Sequence, residues 1–259
     1  MPLYSTNAIV THRTNFGETD RLVTLYTRER GKISTIAKGA RKPISRLSGA
    51  TELLTYGRFQ LATGKNLDVI TQIEVKESFP RIRADLRKTA YSTYLAELID
   101  KVVEERDPNP DAFDLLLSAL YLMERPNDPE KIARMFDLKL MKLVGYEPTL
   151  DRCITPQKGL KPLPKGGLHF SPELGGVVCR QYGPLPEDAF SVSREALSTM
   201  TTLMAADAPE IERMEIPRKT LDEISRVTRW FIRYRVEREL KSLDFIQALK
   251  TETKLNRER

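Results

Sequence analysis

The sequence predicts a multidomain α+β protein, with a five-stranded barrel first, helices after it, and a small non-helical lobe inserted among the helices. Three observations lead to this class. Over the first 80 residues, short runs of strand character alternate with turn residues. From Asp85 onwards, apolar residues recur every three or four positions, the spacing of a helix that buries one face. Between Tyr146 and Pro186 that spacing disappears, and frequent prolines and glycines indicate a separately organised segment.

Five runs near the N-terminus are predicted to be strands. They are rich in Val, Ile, Thr, Leu or Tyr, and turn residues such as Asn15–Phe16–Gly17 and Thr63–Gly64–Lys65–Asn66 separate them. Five short strands in a segment of this length fit a closed barrel of the OB-fold size. The runs are Ala8–Thr14, Asp20–Thr27, Lys32–Gly39, Leu53–Ala62 and Leu67–Val75.

Capping residues and prolines mark where the helices begin. Asp85 and Ser193 are predicted N-caps, and Pro110, Pro129 and Pro217 suit the first turn of a helix. The predicted domains are a barrel over 1–80, a helical domain over 81–145 and 187–250, an insert over 146–186 and a polar tail over 251–259.

The last long helix has an apolar stripe that includes Phe231 and Tyr234, with Trp230 beside it. Arginines decorate this helix, but residues 205–259 hold 13 basic and 11 acidic side chains, a balance typical of ordinary surface pairs. We therefore predict that the aromatic side chains are core rather than a platform on which bases stack.

Composition restricts the class of function. The formal net charge of +6 and the pI of about 9.2 favour a polyanionic partner, although charge says nothing about fold. The apolar runs are too short to span a bilayer, and two cysteines give no disulfide framework, so a reducing cytoplasm is expected. The only histidines, His12 and His169, belong to no nucleophile or metal motif, and no Walker-type loop occurs. We therefore expect a protein that is not an enzyme, and a nuclease or deaminase is disfavoured.

The most informative charge pattern is an acid-free basic window. Six basic residues and no acidic residue lie between Arg30 and Thr51. Gly39 allows a turn or the close approach of a partner, and Pro43 stiffens the end of the run. One interpretation is a cationic loop on a strand scaffold that holds phosphates. The alternative is a solvated basic loop without a partner.

Three segments carry a resemblance to a known family. GETDRLVTLYTRERGKISTIAKGARKPISRLSG (Gly17–Gly49) resembles the N-terminal signature of the RecO family of bacterial recombination mediators. LVGYEPTLDR (Leu143–Arg152) and FSPELGGVVC (Phe170–Cys179) are similar to later segments of that family, in the same order. The resemblance implies an OB-fold barrel, a helical domain and an inserted lobe similar to a zinc finger.

The resemblance also implies a function in DNA repair and recombination. Members of the family bind single- and double-stranded DNA, promote strand annealing, and help to load recombinase in the RecFOR pathway. The implied partners are RecR and the acidic, apolar C-terminal tail of single-strand-binding protein, and the implied location is the cytoplasm, at the nucleoid. The alternative is a protein-interaction hub without DNA binding, whose basic loop meets acidic partners.

Phosphate-binding residues are expected on the barrel. The predicted track combines five cations of the basic window with three further cations. Its members are Arg13, Lys32, Lys38, Arg41, Lys42, Arg46, Arg58 and Lys65. Stacking on bases is expected to be modest, since Tyr26, Tyr56 and Phe59 are the main aromatic candidates in the barrel and some of them must be core.

Four cations on the third helix are a possible site for the acidic tail. They are Lys131, Arg134, Lys139 and Lys142. The simpler interpretation, which we favour, is that these side chains are an ordinary solvated helix face.

The inserted lobe has lost half of the expected zinc ligands. Relatives with a zinc lobe would carry two C-x-x-C pairs, but here Pro156 follows Cys153 and Tyr182 follows Cys179 at the second positions. Because a structural zinc site needs four ligands, we expect no metal and no cofactor. If the lobe keeps its shape, the two cysteines should be neighbours with α-carbons within about 7 Å, and both are expected to be free thiols in a reducing cytoplasm.

Overall fold

The computed structural model describes residues 2–155, 159–236 and 239–255. The protein is α+β, with a five-stranded N-terminal sheet and a largely helical C-terminal part. No helix within these described ranges is long and apolar enough to cross a membrane.

The N-terminal sheet closes on itself in the order β1-β2-β3-β5-β4. Neighbouring strands are antiparallel except β3 and β5, which run parallel and pair Thr35 with Asp68 and Ile36 with Val69. All five predicted strands are confirmed, and the second has the predicted bounds. The strands are β1 (Leu3–Phe16), β2 (Asp20–Thr27), β3 (Gly31–Ala37), β4 (Tyr56–Ala62) and β5 (Asp68–Glu77).

Two details of this region differ from the sequence-based prediction. β1 begins at Leu3 instead of Ala8, because its first half pairs with β4 from Leu3↔Ala62 to Ile9↔Tyr56. A short helix, α1 (Arg46–Ala50), precedes β4, and it was not predicted. A five-residue helix is too short to show the apolar periodicity on which the prediction of helices depends.

Alternating side chains fill the interior of the barrel. Val23 and Leu25 of β2 point inward and are 1% and 0% exposed. Residues from all five strands and from the loop after β3 complete this core, which consists of Ala8, Val10, Val23, Leu25, Ala37, Ala40, Phe59, Leu61 and Ile70.

The helices begin where the capping signals predict. The Asp85 carboxylate accepts a hydrogen bond from the Lys88 amide at 2.9 Å, and the Ser193 hydroxyl accepts one from the Ala196 amide at 3.1 Å. The remaining helices are α2 (Pro80–Ala84), α3 (Leu86–Val102), α4 (Pro110–Glu124), α5 (Pro129–Leu143), α6 (Arg194–Ala205), α7 (Ala208–Arg213), α8 (Arg218–Val236) and α9 (Lys241–Leu255).

The chain forms two compact units. One contains Met1–Pro129 and Leu240–Arg259, and the other contains Glu130–Glu239. The sequence predicts the first boundary near residue 80, but α3, α4 and α9 belong to the unit that holds the barrel. One reason is the carboxylate of Glu97 in α3, which accepts hydrogen bonds from the first amides of α9, Lys241 at 3.0 Å and Ser242 at 2.9 Å.

A second five-stranded sheet, in the order β10-β8-β9-β6-β7, consists of four strands from the inserted segment and of β10, which follows it. β8 and β9 form an antiparallel hairpin, in which Phe170 pairs with Val177 and Ser171 with Gly176. Phe170 and Val177 are fully buried and Val178 is 3% exposed, so apolar packing supports the lobe. The strands are β6 (Thr149–Thr155), β7 (Gly159–Pro162), β8 (Leu168–Ser171), β9 (Gly176–Cys179) and β10 (Phe190–Ser191).

Cys153 and Cys179 are neighbours, as predicted, with α-carbons 5.9 Å apart. The expectation of free thiols is wrong for this structure, because the two sulfurs form a disulfide on adjacent parallel strands. The residues present do not fit a four-ligand zinc site. Both sulfurs are bonded to each other, and the Tyr182 hydroxyl donates to the Pro162 carbonyl at 3.0 Å. Pro156 lies outside the described residues.

The disulfide gives a testable prediction about the lobe. The two cysteines are 26 residues apart in sequence, and a loop of that length corresponds to a stabilisation of up to about 3.5 kcal/mol relative to the reduced chain. We expect dithiothreitol to lower the unfolding midpoint of the wild type, and to have no effect on the Cys153→Ser/Cys179→Ser variant.

Metal content separates this prediction from a hidden zinc site. Because we expect no metal, a chelator should shift the midpoint of neither protein, and elemental analysis should find no zinc. One zinc per chain, or a wild type whose unfolding is insensitive to the reductant, would contradict the prediction.

Candidate nucleic-acid interface

Hydrogen bonds to the β1–β2 turn and to Asp20 fix the basic loop that follows β3. The Asp20 carboxylate accepts a hydrogen bond from the Gly39 amide at 2.8 Å. Arg41 binds the β1–β2 turn twice, with its amide on the Thr19 carbonyl and its guanidinium on the Gly17 carbonyl, both at 2.8 Å. Gly39 has φ +65°, a conformation that favours glycine. The loop is therefore fixed to the neighbouring turn by contacts that leave most of its cations available.

The cations of this loop project into solvent. Lys38, Lys42 and Arg46 are exposed, and none of them forms an ion pair with a carboxylate of the described residues. The Asp20 carboxylate contacts the loop, and its pKa is lowered by the Gly39 amide, by the Thr19 hydroxyl and by the nearby charges of Lys38 and Lys42. Because that carboxylate is already committed to the loop backbone, the loop keeps an excess of positive charge.

The other predicted phosphate-binding residues lie in different surroundings. Lys32 donates to the Asp100 carbonyl at 2.6 Å and lies 3.7 Å from its carboxylate, and Arg13 forms an ion pair with Glu52 at 2.8 Å. These two cations therefore form polar contacts within the protein, which their positions in the sequence did not reveal. Arg58 on β4 and Lys65 on the β4–β5 turn are exposed.

Glu52 was not among the residues predicted to shape this site. It directly follows the acid-free window and binds both Arg13 and Arg21, at 2.8 and 3.1 Å. Arg21 also donates to the Ser48 carbonyl of α1 at 2.9 Å, so this acid and its arginines fix α1 beside the loop. Its position at the end of the basic window was the one signal in the sequence that could have indicated such a role.

The barrel offers few aromatic surfaces. Tyr26 is 1% exposed and Phe59 is 0% exposed, and both belong to the interior, while Tyr56 is half-buried with the Lys76 amine 5.5 Å from its ring centre. Phe16, at the end of β1, is 50% exposed and was not among the predicted candidates. The prediction that some of the three aromatics are core is confirmed.

The cations of α5 do not form a solvated face. Lys131 and Arg134 are 6% and 3% exposed. Lys131 donates to the Met214 carbonyl at 2.9 Å, and Arg134 donates to the Thr228 hydroxyl at 2.8 Å. Lys139 donates to the Ala206 carbonyl at 2.5 Å, and burial lowers its pKa. The solvated face predicted from the sequence is therefore wrong, and of the four only Lys142 is exposed, where it pairs with Glu147 at 2.8 Å.

The aromatic residues of α8 are divided between core and surface. Phe231 is 2% exposed, as predicted, but Trp230 and Tyr234 are 44% and 45% exposed. Placing these last two in the core was wrong, because they lie on the side of the helix away from Leu221, Ile224 and Val227.

Comparison with protein families identifies the chain. A family model described as Recombination protein O N terminal matches residues 1–79, and one described as Recombination protein O C terminal matches residues 83–244. The chain belongs to the RecO family. The two matches cover the barrel, the lobe and the helices from α3 to α8, so the resemblance carried by the three segments is confirmed.

Several RecO proteins are similar over nearly their whole length. A protein of Symbiobacterium thermophilum named DNA repair protein RecO is 38% identical over 97% of this chain and 99% of its own. Proteins of the same name from Pelotomaculum thermopropionicum and Desulfitobacterium hafniense are 37% and 36% identical, over 95% and 93% of this chain and 94% and 88% of their own.

The hydrogen bond between the Asp20 carboxylate and the basic loop gives a pH-dependent prediction. The native state lowers the pKa of Asp20, so its contribution to stability is present above the pKa of the unfolded chain and is lost as pH falls through the lower native value. We expect Asp20→Ala to have a lower melting temperature than the wild type at pH 7. This difference should shrink as the pH falls below about 4.

Glu18→Ala is the matched control, because it removes an exposed carboxylate from the same turn. It should melt like the wild type throughout the pH series. Equal melting temperatures of Asp20→Ala and wild type at pH 7 would show that the carboxylate does not hold the loop.

Proposed function

We propose that this RecO protein is a non-enzymatic mediator of DNA repair and homologous recombination, and that its N-terminal OB-fold barrel binds DNA. The observation that carries the proposal is the loop from Lys38 to Arg46, which has exposed cations and is fixed by the hydrogen bonds of Asp20 and Arg41. Family membership agrees with this assignment, since relatives of similar length are named DNA repair proteins.

The chemistry of the loop suits phosphate rather than base recognition. Lysine amines and arginine guanidinium groups contact phosphate oxygens whatever the base, and such contacts position a strand without reading its sequence. The loop contains no Asn, Gln or carboxylate side chain, the groups that read the edges of adenine and cytosine. Binding of single- and double-stranded DNA alike is therefore expected.

Charge neutralisation also provides a route to annealing. Two complementary strands repel each other through their phosphates, and a cationic surface that holds both reduces this repulsion. In this proposal the protein acts at the nucleoid in the cytoplasm, anneals strands, and helps RecR to load recombinase on DNA coated by single-strand-binding protein.

Replacement of the loop cations tests the proposal. Lys38, Lys42 and Arg46 are chosen because their side chains make no ion pair with a described carboxylate, unlike Lys32 and Arg13. In the triple alanine variant we expect weaker binding to single strands and duplexes of any sequence. The slope of log K against log salt concentration should fall by about one for each phosphate that the variant no longer binds.

A second triple variant controls for net charge. Lys165, Arg180 and Arg213 are exposed cations outside the barrel, and replacing them with alanine removes the same charge. This control should bind DNA like the wild type, and both variants should keep the wild-type circular dichroism spectrum. Unchanged affinity and salt slope in the loop variant would remove DNA binding from this loop and favour the hub, in which the loop meets acidic proteins.

The partner proteins are a separate part of the proposal. We propose that a peptide with an acidic, apolar C-terminus, such as the tail of single-strand-binding protein, binds the helical part rather than the barrel. Fluorescence anisotropy with a labelled peptide should then give the same affinity for the wild type and for the loop variant. A loss of peptide binding in the loop variant would transfer the binding site to the barrel and contradict the proposal.

A further inference from the structure

A second acid-free basic window lies in α8. The thirteen residues from Ile224 to Val236 include four arginines and no carboxylate. They also include Trp230, the only tryptophan of the chain. This combination of arginines with an aromatic side chain is not explained by the basic loop of the barrel, which lies in the other compact unit.

The exposed members of this window share one helix face. Arg226, Trp230 and Arg233 follow each other at spacings of four and three residues, and all three are exposed. The opposite side of the helix buries Ile224, Val227 and Phe231. Because that buried stripe fixes the rotation of the helix, the face with the tryptophan is held towards solvent.

Aromatic rings support both arginines. The Arg226 guanidinium carbon lies 4.6 Å from the ring centre of Phe190, and its Nη2 donates to the Ser191 carbonyl at 2.5 Å. The Arg233 guanidinium carbon lies 5.3 Å from the Trp230 ring centre. A guanidinium that stacks on a ring keeps its planar N–H groups available at the edges, the geometry that suits phosphate oxygens.

The acids that precede the window are bound elsewhere. The Asp222 carboxylate accepts a hydrogen bond from Arg218 at 2.6 Å, and the Glu223 carboxylate accepts one from the Ser193 amide at 2.9 Å. Within the described part of the chain, neither carboxylate forms an ion pair with Arg226 or Arg233, so this part of α8 presents positive charge.

We propose that this face of α8 is a second contact site for single-stranded nucleic acid, with a base stacked on Trp230 and phosphates held by Arg226 and Arg233. These arginines are seven residues apart, about 10 Å along the helix axis, which corresponds to roughly three phosphates of a stacked strand. An unpaired base offers an open ring face to the indole, whereas the bases of a duplex are already stacked on each other.

The single tryptophan makes the site directly observable. The experiment uses the Lys38→Ala/Lys42→Ala/Arg46→Ala variant, so that binding through the barrel loop is reduced. Titration with a thymidine oligonucleotide should quench the tryptophan fluorescence. An abasic oligonucleotide of the same length, a duplex and a poly-aspartate peptide should each quench it much less, because they offer charge without an unpaired base.

Variants then separate stacking from charge. With a labelled oligonucleotide in anisotropy, Trp230→Ala should weaken binding by about tenfold, since one stacked base contributes roughly that factor, while Trp230→Phe keeps most of the affinity. Arg233→Gln alone should weaken binding and reduce the salt slope. The Lys165→Ala/Arg180→Ala variant controls for the removal of charge and should bind like its parent.

Unchanged fluorescence on titration with the oligonucleotide would overturn the proposal. Equal quenching by poly-aspartate and by the oligonucleotide would also overturn it and would make the face a surface for acidic proteins. Neither result bears on the barrel loop, whose salt dependence is measured in a protein with an intact α8. A failure of one site is therefore distinguishable from a failure of the other.

Discussion

One buried carboxylate, that of Asp68, lies at the parallel strand pair where the N-terminal sheet closes. Asp68 begins β5, pairs across to Thr35 of β3, and is 1% exposed. Its oxygens accept hydrogen bonds from the Tyr4 hydroxyl at 2.5 Å and from the Gly64 amide at 3.0 Å, and Arg106 lies 3.7 Å away. Burial and the bond to Asp68 raise the pKa of Tyr4. The parallel pair is only two residues long, and the contacts of Asp68 tie the start of β5 to β1 and to the β4–β5 turn beside it.

The parts of the fold that were predicted from sequence depend on local rules. Alternating apolar residues and turn residues located the five strands, and N-caps such as Asp85 located the helices, because these signals act within a few residues. Asp68 is a residue for which local rules are insufficient. The sequence places its charge at the start of a predicted strand, but its partners Tyr4 and Arg106 come from distant parts of the chain.

The same distinction applies to the candidate site, where local patterns located some residues and could not show the contacts of others. The acid-free window correctly located exposed cations at Lys38, Lys42 and Arg46, because charged side chains on a short surface loop remain in solvent unless an acid lies nearby. The sequence pattern did not reveal which cations contact remote partners. Lys32 meets Asp100, 68 residues away, and Arg134 meets Thr228, 94 residues away. A periodic pattern says which side chains share a helix face, but not what later folds over that face.

The arginines of α8 show why a charge balance taken over a long segment misleads. Residues 205–259 are nearly neutral in sum, which indicated an ordinary surface. Charges on a protein surface compensate each other only within a Debye length, about 8 Å at physiological salt. Thirteen residues of helix extend about 20 Å, so acids beyond its two ends do little at its middle, where Trp230 lies. Arg226, Arg229 and Arg233 are exposed around Trp230, a local concentration of positive charge that the near-neutral total of the segment conceals.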